Sequence, residues 1–452
     1  MATLSIGGLA TGLDTNSIVD QLVALEKRSQ VDLLNIQQLD VQSQKTALQT
    51  FNTKLVDVLA AVDKLRDSRS AISRTATSSD TSVLTAVAGT GALKGTTNIT
   101  VNSLARGAIA VSANGKSATD ATVASGSGSF SFKVGSGATQ TISIDASTTL
   151  EGLTNSINAL GAGVVSSVVN LGTDATPDYR LRLASASTGT SSNISIVHDD
   201  TNLGLSVTQS AQNASISVTG FATPFSRESN VISDIIPGVT LSLLKEGSVT
   251  VASDTDTAAV ASNVQAVATA YNALVSFVND QSAVTQDTSS ADKDVTGGPL
   301  AFDTTVKSIL TGLHDVVSNK VEGLSGTYSL LAEIGLTSNK DGSLSFDASK
   351  LSTALSSNEG DVSALFSGSG SIDGVFDRIH QYLTDVTGSS GVLTVHSNSL
   401  ADQIKSLQTR MEDGQRNVDA YQQNLKDQFT SLELLVNQLK SQGSLLTSAL
   451  LK

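Results

Sequence analysis

The chain has 452 residues, 42 of them acidic and 28 basic for a formal net charge of −14, and it contains no cysteine. A single hydrophobic core stops growing near about 250 to 300 residues, so one ordinary domain is excluded. The acidic balance argues against nucleic acid and membrane surfaces as partners, and the missing thiols exclude a disulfide framework, a thiolate nucleophile and any cysteine-based metal site.

Aromatic residues make up only 4% and charged residues 15%, so the cores should be thin and several in number. No run of about 18 apolar residues occurs, and no helix is expected to span a bilayer. The start, Met1-Ala2-Thr3-Leu4-Ser5-Ile6, lacks a basic region followed by a compact apolar one. A cleaved secretory signal is therefore not expected, and any export would use a route that does not read one.

The first 70 residues read mostly as helix. Asp14-Thr15-Asn16-Ser17 offers N-cap side chains to a helix carrying Ile18, Leu22 and Leu25, and the glycine-rich segment 7–12 before it should be mobile when unpartnered. Leu34, Val41, Leu48, Leu55 and Val62 recur every seven residues, with Phe51, Val58 and Leu65 three after the last three. That is a coiled-coil seam. Gln37 and Gln44 fall on the earlier matching positions and should loosen that half.

From 75 to 210 only six Lys or Arg occur, and small polar residues alternate with Val and Ile, which predicts β-sheet. Strands are expected at 98–101, 164–170, 179–183 and 194–197, with a hairpin joining Phe130, Phe132 and Val134 to Ile142 and Ile144 around Gly135. One short amphipathic helix is expected over 149–160 on Leu150, Leu153, Ile157 and Leu160. A second, separate small sheet is expected from 215–218, 239–244 and 249–252, the last two around Lys245-Glu246-Gly247.

Helices then return. They are predicted on Val260, Val264, Val267, Tyr271, Leu274 and Val278, after Pro299 on Leu300, Val306, Leu310, Leu313 and Val317, and through Ile372, Val375, Phe376, Ile379, Leu383 and Val386. From 400 to 449 one register holds: Ile404, Met411, Val418, Leu425, Leu432, Leu439 and Leu446 form an unbroken apolar row. A helix of about 50 residues is roughly 75 Å long at ~1.5 Å per residue, so it must pair with another helix. A folded-back hairpin would need a turn, for which Gly414 and Gly443 are the candidates; the unbroken register favours one rod. Both ends being helical, they most simply pack on each other, with the β-rich middle inserted between them.

Chemistry-bearing patterns are weak. His198, His314, His380 and His396 lie in different segments without metal-ligand spacing. The stretch 337–348 resembles a calcium loop through Asn339, Asp341 and Gly342, but its twelfth position is Ala348 where a bidentate Glu is needed, so Lys340-Asp341-Gly342 reads as a hairpin turn. Gly89-Thr90-Gly91 and Gly126-Ser127-Gly128 have no Walker lysine, Asp199-Asp200 and Asp254 with Asp256 read as solvated loop charges, and no Gly-x-Ser-x-Gly elbow occurs. No active site, cofactor site or metal site is expected, and helix pairing points to assembly rather than catalysis.

The run Gly8-Leu9-Ala10-Thr11-Gly12-Leu13-Asp14-Thr15-Asn16-Ser17-Ile18-Val19-Asp20-Gln21-Leu22-Val23-Ala24-Leu25-Glu26 resembles the opening of the bacterial flagellar filament cap family, the FliD family, also called hook-associated protein 2. Ala270-Tyr271-Asn272-Ala273-Leu274, Gly298-Pro299-Leu300-Ala301, Ile334-Gly335-Leu336, Lys340-Asp341-Gly342-Ser343-Leu344-Ser345-Phe346-Asp347 and Val362-Ser363-Ala364-Leu365-Phe366 match in the same order. Ile157-Asn158-Ala159 and Tyr179-Arg180-Leu181 resemble a module shared with flagellins and other hook-associated proteins.

The resemblance implies export through the flagellar type III apparatus and a secreted, ring-like homo-oligomer at the filament tip that helps flagellin subunits fold and insert. It also implies partners: flagellin, the hook–filament junction proteins and an export chaperone. The fold it implies is multidomain α+β, with terminal coiled-coil helices and a helical domain formed by both chain ends, enclosing two β-rich domains, one inserted in the other. Laid on this sequence, the parts are 1–40 with 410–452, 41–76 with 256–409, 77–105 with 205–255, and the insertion 106–204. The oligomer seam is expected on Leu48, Leu55, Val62, Ile404, Met411, Val418, Leu425, Leu432, Leu439 and Leu446. Another axial component, a flagellin or junction protein, would share the C-terminal heptads, but the opening motif and the 340–347 segment favour the cap. A secreted β-rich adhesin would share the acidic, Ser/Thr-rich middle without needing paired helical ends.

Overall fold

Asp14 opens the helical part by accepting a hydrogen bond from the Ser17 N–H at 3.1 Å, an N-cap that satisfies one orphan donor of α1 (Thr15–Lys27). The structure, a computed structural model, describes residues 14–67, 71–89, 91–286 and 295–450. α1 passes through a π turn, Arg28–Asp32, into α2 (Leu33–Val62). Strands follow: β1 (Arg74–Ser78), β2 (Leu84–Ala88), β3 (Gly95–Ser103), β4 (Ile109–Ser112), β5 (Gly128–Val134) and β6 (Gln140–Ile144). After α3 (Leu150–Ala159) come β7 (Val164–Asn170), β8 (Tyr179–Ser185), β9 (Ile194–Asp199), β10 (Leu205–Gln209), β11 (Ala214–Val218), β12 (Phe225–Arg227), β13 (Val231–Ile236), β14 (Val239–Leu243) and β15 (Gly247–Thr255). The remainder is α4 (Thr257–Gln281), β16 (Val284–Gln286), β17 (Val295–Gly297), α5 (Thr304–Ser318), β18 (Leu336–Ser338), β19 (Leu344–Phe346), α6 (Ala348–Ser367), α7 (Val375–Thr387) and α8 (Val392–Leu450).

The chain divides into two compact units: a helical unit from both chain ends, up to Ala71 and from Ala261 onward, and a sheet unit spanning Ile72–Val260. The architecture is mixed α+β, with N- and C-terminal helices and several sheets.

The sheet unit holds two cores. In the first, sheets β10-β4-β8-β7 and β6-β5-β9 close over α3, burying Phe130, Phe132, Leu150, Leu153, Ile157, Leu181 and Leu183. In the second, sheets β1-β15-β3-β11-β12 and β13-β14-β2 bury Ile99, Val101, Ile216, Leu241, Val249 and Val251. The alternation that predicts these strands is the alternation that fills the cores: β15 buries Val249 and Val251 and turns Ser248 and Thr250 outward. The chain passes between the cores at one place, where Arg106 and Gln212 exchange both backbone hydrogen bonds at 2.9 and 3.0 Å.

Two sequence expectations are corrected here. β14 and β15 do not share a small sheet: β14 pairs with β13 and β2, while β15 pairs with β1 and β3. The Lys245-Glu246-Gly247 turn therefore carries the chain from one layer to the other, because β15 takes both its partners, and β14 one of its two, from residues 74–103, which local pattern cannot link to them. In addition, β10 pairs with β4 across the edge expected at 204/205, so residues 205–209 belong to the sheet of the first core.

α4 buries Val260, Val264, Val267, Tyr271, Leu274 and Val278, the row its spacing predicts, and all but Val260 belong to the helical unit. The Asp303 carboxylate caps α5 by accepting from the Thr305 and Val306 N–H groups at 2.9 and 3.0 Å. α7 packs its buried Val375, Phe376, Ile379 and Leu383 against α2, α5 and α6. Pattern reading misses α6, whose buried Leu351, Ala354 and Leu355 are separated from Val362, Leu365 and Phe366 by a polar stretch containing the non-helical Asn358 (φ −157°, ψ 73°).

Candidate assembly interface

α8 is a single 59-residue helix, so neither Gly414 nor Gly443 turns the chain. α1, the π turn and α2 all pack along it. The pairing is antiparallel: Gln30 meets Gly414, and further along α2 Gln37 and Val41 share a groove with Gln403, Leu407 and Arg410 of α8. At Gly414 the backbones come close enough that an added Cβ would lie 2.6 Å from the Gln30 carbonyl oxygen. Only glycine fits there. A π turn adds one residue to a helical turn and rotates everything beyond it, so the seven-residue count does not carry back from α2 into α1. Counting back in sevens from Leu34 reaches Lys27 and Asp20; the residues buried instead are Thr15, Val19 and Val31.

The expected seam residues separate by depth. Leu48, Leu55 and Val62 are buried in the helical unit together with Phe51, Val58 and Leu65. On α8, Val418 is buried, Ile404, Met411 and Leu425 are half-buried, and Leu432, Leu439 and Leu446 stand 41%, 57% and 63% exposed. Gln37 is exposed and Gln44 half-buried. The sequence also places Leu400, Leu407, Gly414 and Tyr421 on a second, more mixed heptad row outside the expected seam; Leu400 and Leu407 are buried, and Gly414 contributes by its smallness. A glycine between Leu407 and Tyr421 on its heptad row is the signal that marks such a close crossing.

A second apolar face runs along the same helices. Leu22, Leu25, Leu33, Ile36 and Leu39 are exposed, Leu25 by 68%, on the side of α1 and α2 that does not meet α8. Ile18, which the sequence groups with Leu22 and Leu25, is half-buried. Leu434, Leu435 and Leu445 add to the exposed leucines at the far end of α8. Burying one such side chain is worth about 1.5–3 kcal/mol, so a row of this length forms a large uncovered apolar surface for a chain of this composition. The glycine-rich 7–12 segment and the motif residues Gly8 to Leu13 lie outside the described residues.

The chemistry-bearing residues do not gather. His314 Nδ1 lies 3.2 Å from the buried Tyr271 hydroxyl, His380 Nδ1 lies 2.8 Å from Asp63, and His396 Nε2 lies 2.8 Å from Asp303. In the sheet unit His198 Nε2 lies 2.9 Å from Asp200. Asp341 accepts from the Ser343 N–H and hydroxyl, at 3.0 and 2.6 Å, so it holds the β18–β19 turn; those bonds lower its pKa below the usual aspartate value. Asp199 accepts from Thr201 and from the Leu205 N–H, and Asp256 accepts from the Ala259 N–H at the start of α4. Among the described residues no three His, Asp or Glu side chains are grouped as a metal would require.

With this geometry in place, comparison with known proteins is direct. The family described as flagellar hook-associated protein 2, N-terminus, matches residues 11–108, and flagellar hook-associated protein 2, C-terminus, matches residues 211–441. The flagellar hook-associated protein 2 of Escherichia coli K12 is 29% identical over 468 residues, covering 99% of this chain and 98% of its own length. The B-type flagellar hook-associated protein 2 of Pseudomonas aeruginosa is 28% identical over 488 residues, covering 100% of this chain and 98% of its own. A crystal structure of the D1-D2-D3 domains of the flagellar cap protein FliD from Escherichia coli superposes with a TM-score of 0.63 at 27% identity, covering 78% of this chain and 99% of that one.

Proposed function

This chain belongs to the flagellar hook-associated protein 2 family, and from that membership we propose how it performs a cap's work. The protein is a structural cap at the distal end of the bacterial flagellar filament, exported to the filament tip, where it acts as an oligomer and promotes folding and insertion of flagellin. The observation that carries the mechanism is the second apolar face on the terminal helices. α1, α2 and α8 satisfy each other along one side and leave Leu22, Leu25, Leu33, Ile36 and Leu39, with Leu432, Leu439 and Leu446, for other chains.

Such a surface rests on a helix whose packed half, against α1 and α2, spares the exposed half the cost of nucleation. It gains free energy when apolar partners cover it, which suits subunits that meet at a growing tip. The ten expected seam positions divide accordingly: Leu48, Leu55, Val62 and Val418 hold the helical unit together, while Leu432, Leu439 and Leu446 meet neighbouring copies or flagellin. Junction proteins and an export chaperone would engage the same helical ends. Support for this lies in the apolar character of those ends and in the family, which acts as a structural component rather than as an enzyme.

The test is Leu432→Asp and Leu439→Asp in the full chain. Both sites are exposed in the single chain, so circular dichroism should be unchanged, while an unpaired charge in a covered seam costs several kcal/mol. Ring formation seen by electron microscopy should be lost, along with the restoration of motility to a strain lacking its own cap. Motility restored to wild-type level by both variants would refute the role of this face.

A further inference from the structure

Asn158, in the last turn of α3, turns its carboxamide to β7: Nδ2 donates to the Ser166 carbonyl at 3.0 Å and Oδ1 accepts the Ser166 N–H at 2.7 Å. β7 is the outer strand of its sheet, and among the described residues its strand partner is β8 alone. Hydrogen bonds from the Ala186 N–H to the Gly163 carbonyl and from the Leu171 N–H to the Asp178 carbonyl fix the phase of the ladder. Odd-numbered residues bond toward β8, so Val164, Ser166, Val168 and Asn170 turn their N–H and C=O groups outward. Ser166 is near the middle of that row. A side-chain amide carries the same donor and acceptor as a peptide group, so Asn158 occupies the place of a residue on an adjacent strand.

The local chain makes this possible. Gly161 and Gly163, at φ +57° and +74°, reverse the chain in the short link between α3 and β7, bringing the end of the helix alongside the strand it has just entered. The same arrangement recurs twice. Asn272 of α4 bonds both backbone groups of Leu344 in β19 at 2.8 and 2.7 Å, and Asn230 bonds both of Ala105 just after β3 at 2.8 and 2.7 Å.

What distinguishes the Asn158 site is the strand it covers. β7 reads Val-Val-Ser-Ser-Val-Val-Asn, without charge or proline, and pairs with β8 without a register shift. Its outward Val165 is 55% exposed and Val169 38%. An edge of this kind, lacking a lysine, a proline or a bulge, is a template for strand addition.

We propose that Asn158 is an edge guard, closing β7 against antiparallel pairing with β7 of a second copy. The test uses the full chain. Asn158→Ala should produce, with rising concentration, species larger than a closed ring and a several-fold rise in thioflavin T fluorescence. Val165→Lys in the same background places a charge on the exposed edge and should restore the wild-type size distribution. In the wild type the Ser166 amide should exchange slowly despite its edge position. An Asn158→Ala protein with the wild-type size distribution at every concentration would overturn the proposal. If Asn158→Ala also lowers the folded fraction, Val165→Lys decides: association that it fails to suppress comes from unfolding, and the guard is refuted.

Discussion

Gly414 of α8 lies directly against Gln30 of the π turn, with 2.6 Å between the position of an added Cβ and the Gln30 carbonyl oxygen. Two irregularities meet there, a widened turn on one helix and a missing side chain on the other, and the close backbone approach is the reason for the missing side chain.

Gly414→Ala has two opposed effects. Alanine gains about 1 kcal/mol of helix propensity over glycine. Overpacking costs about 1–3 kcal/mol, and a backbone oxygen cannot move aside as a flexible side chain can. The net expectation is a loss of stability with faster amide exchange in α1, measured by urea unfolding and hydrogen exchange. A stabilised variant would show that the helices do not approach so closely.

Burial separates residues of one heptad family. Leu55→Ala, at a fully buried site, should cost about 2–5 kcal/mol in the urea unfolding of the helical unit. Leu432→Ala, on the exposed end of α8, should stay within about 0.5 kcal/mol of wild type in the same measurement. Equal losses would mean that α8 is already covered at Leu432 in the single chain.

The Arg106–Gln212 backbone pair places the two ends of an insertion side by side. We propose that it runs over residues 107–211, a shift from the 106–204 of the composition, because β10 belongs to its sheet. Replacing these residues with a short Gly/Ser link should leave the second core folded, since its buried set, Val83 to Ala105 and Ala214 to Val251, lies wholly outside. Circular dichroism with sedimentation decides this, and loss of cooperative unfolding in the remainder would refute the boundary.

The pH limits should differ in origin. Burial pushes the Tyr271 phenol up to about 12 from 10.0, so the folded state favours the protonated form. Its stabilising contribution is complete below 10 and is lost as pH rises toward 12; Tyr271→Phe should flatten that alkaline limb in urea midpoints. On the acid side, Asp145, held below 3.8 chiefly by the Ser147 hydroxyl, and Asp200, held below it chiefly by the Ser129 N–H, stabilise the sheet unit above 3.8. That contribution disappears as pH falls, and Asp145→Asn with Asp200→Asn should flatten the acid limb.

Periodicity and turn residues were enough for the elements whose stabilising neighbours are near in sequence or whose pattern is long. The 4-3 spacing from Val260 to Val278, the rod through Val418, the β5–β6 hairpin and the turn at Asp341 all belong here, since burial on one face writes itself into the residues of that face. The β14–β15 separation, the kink at Asn358 and the clamps of Asn158, Asn230 and Asn272 were not legible, because in each the deciding partner or backbone angle has no trace in local composition. The same holds for the division of the heptad row, where Val418 and Leu432 are both apolar at the same phase and only the reach of α1 along α8 leaves one buried and the other open. Chain pattern records that a side chain prefers to leave water, whereas three-dimensional packing settles whether the same chain supplies the cover or another must.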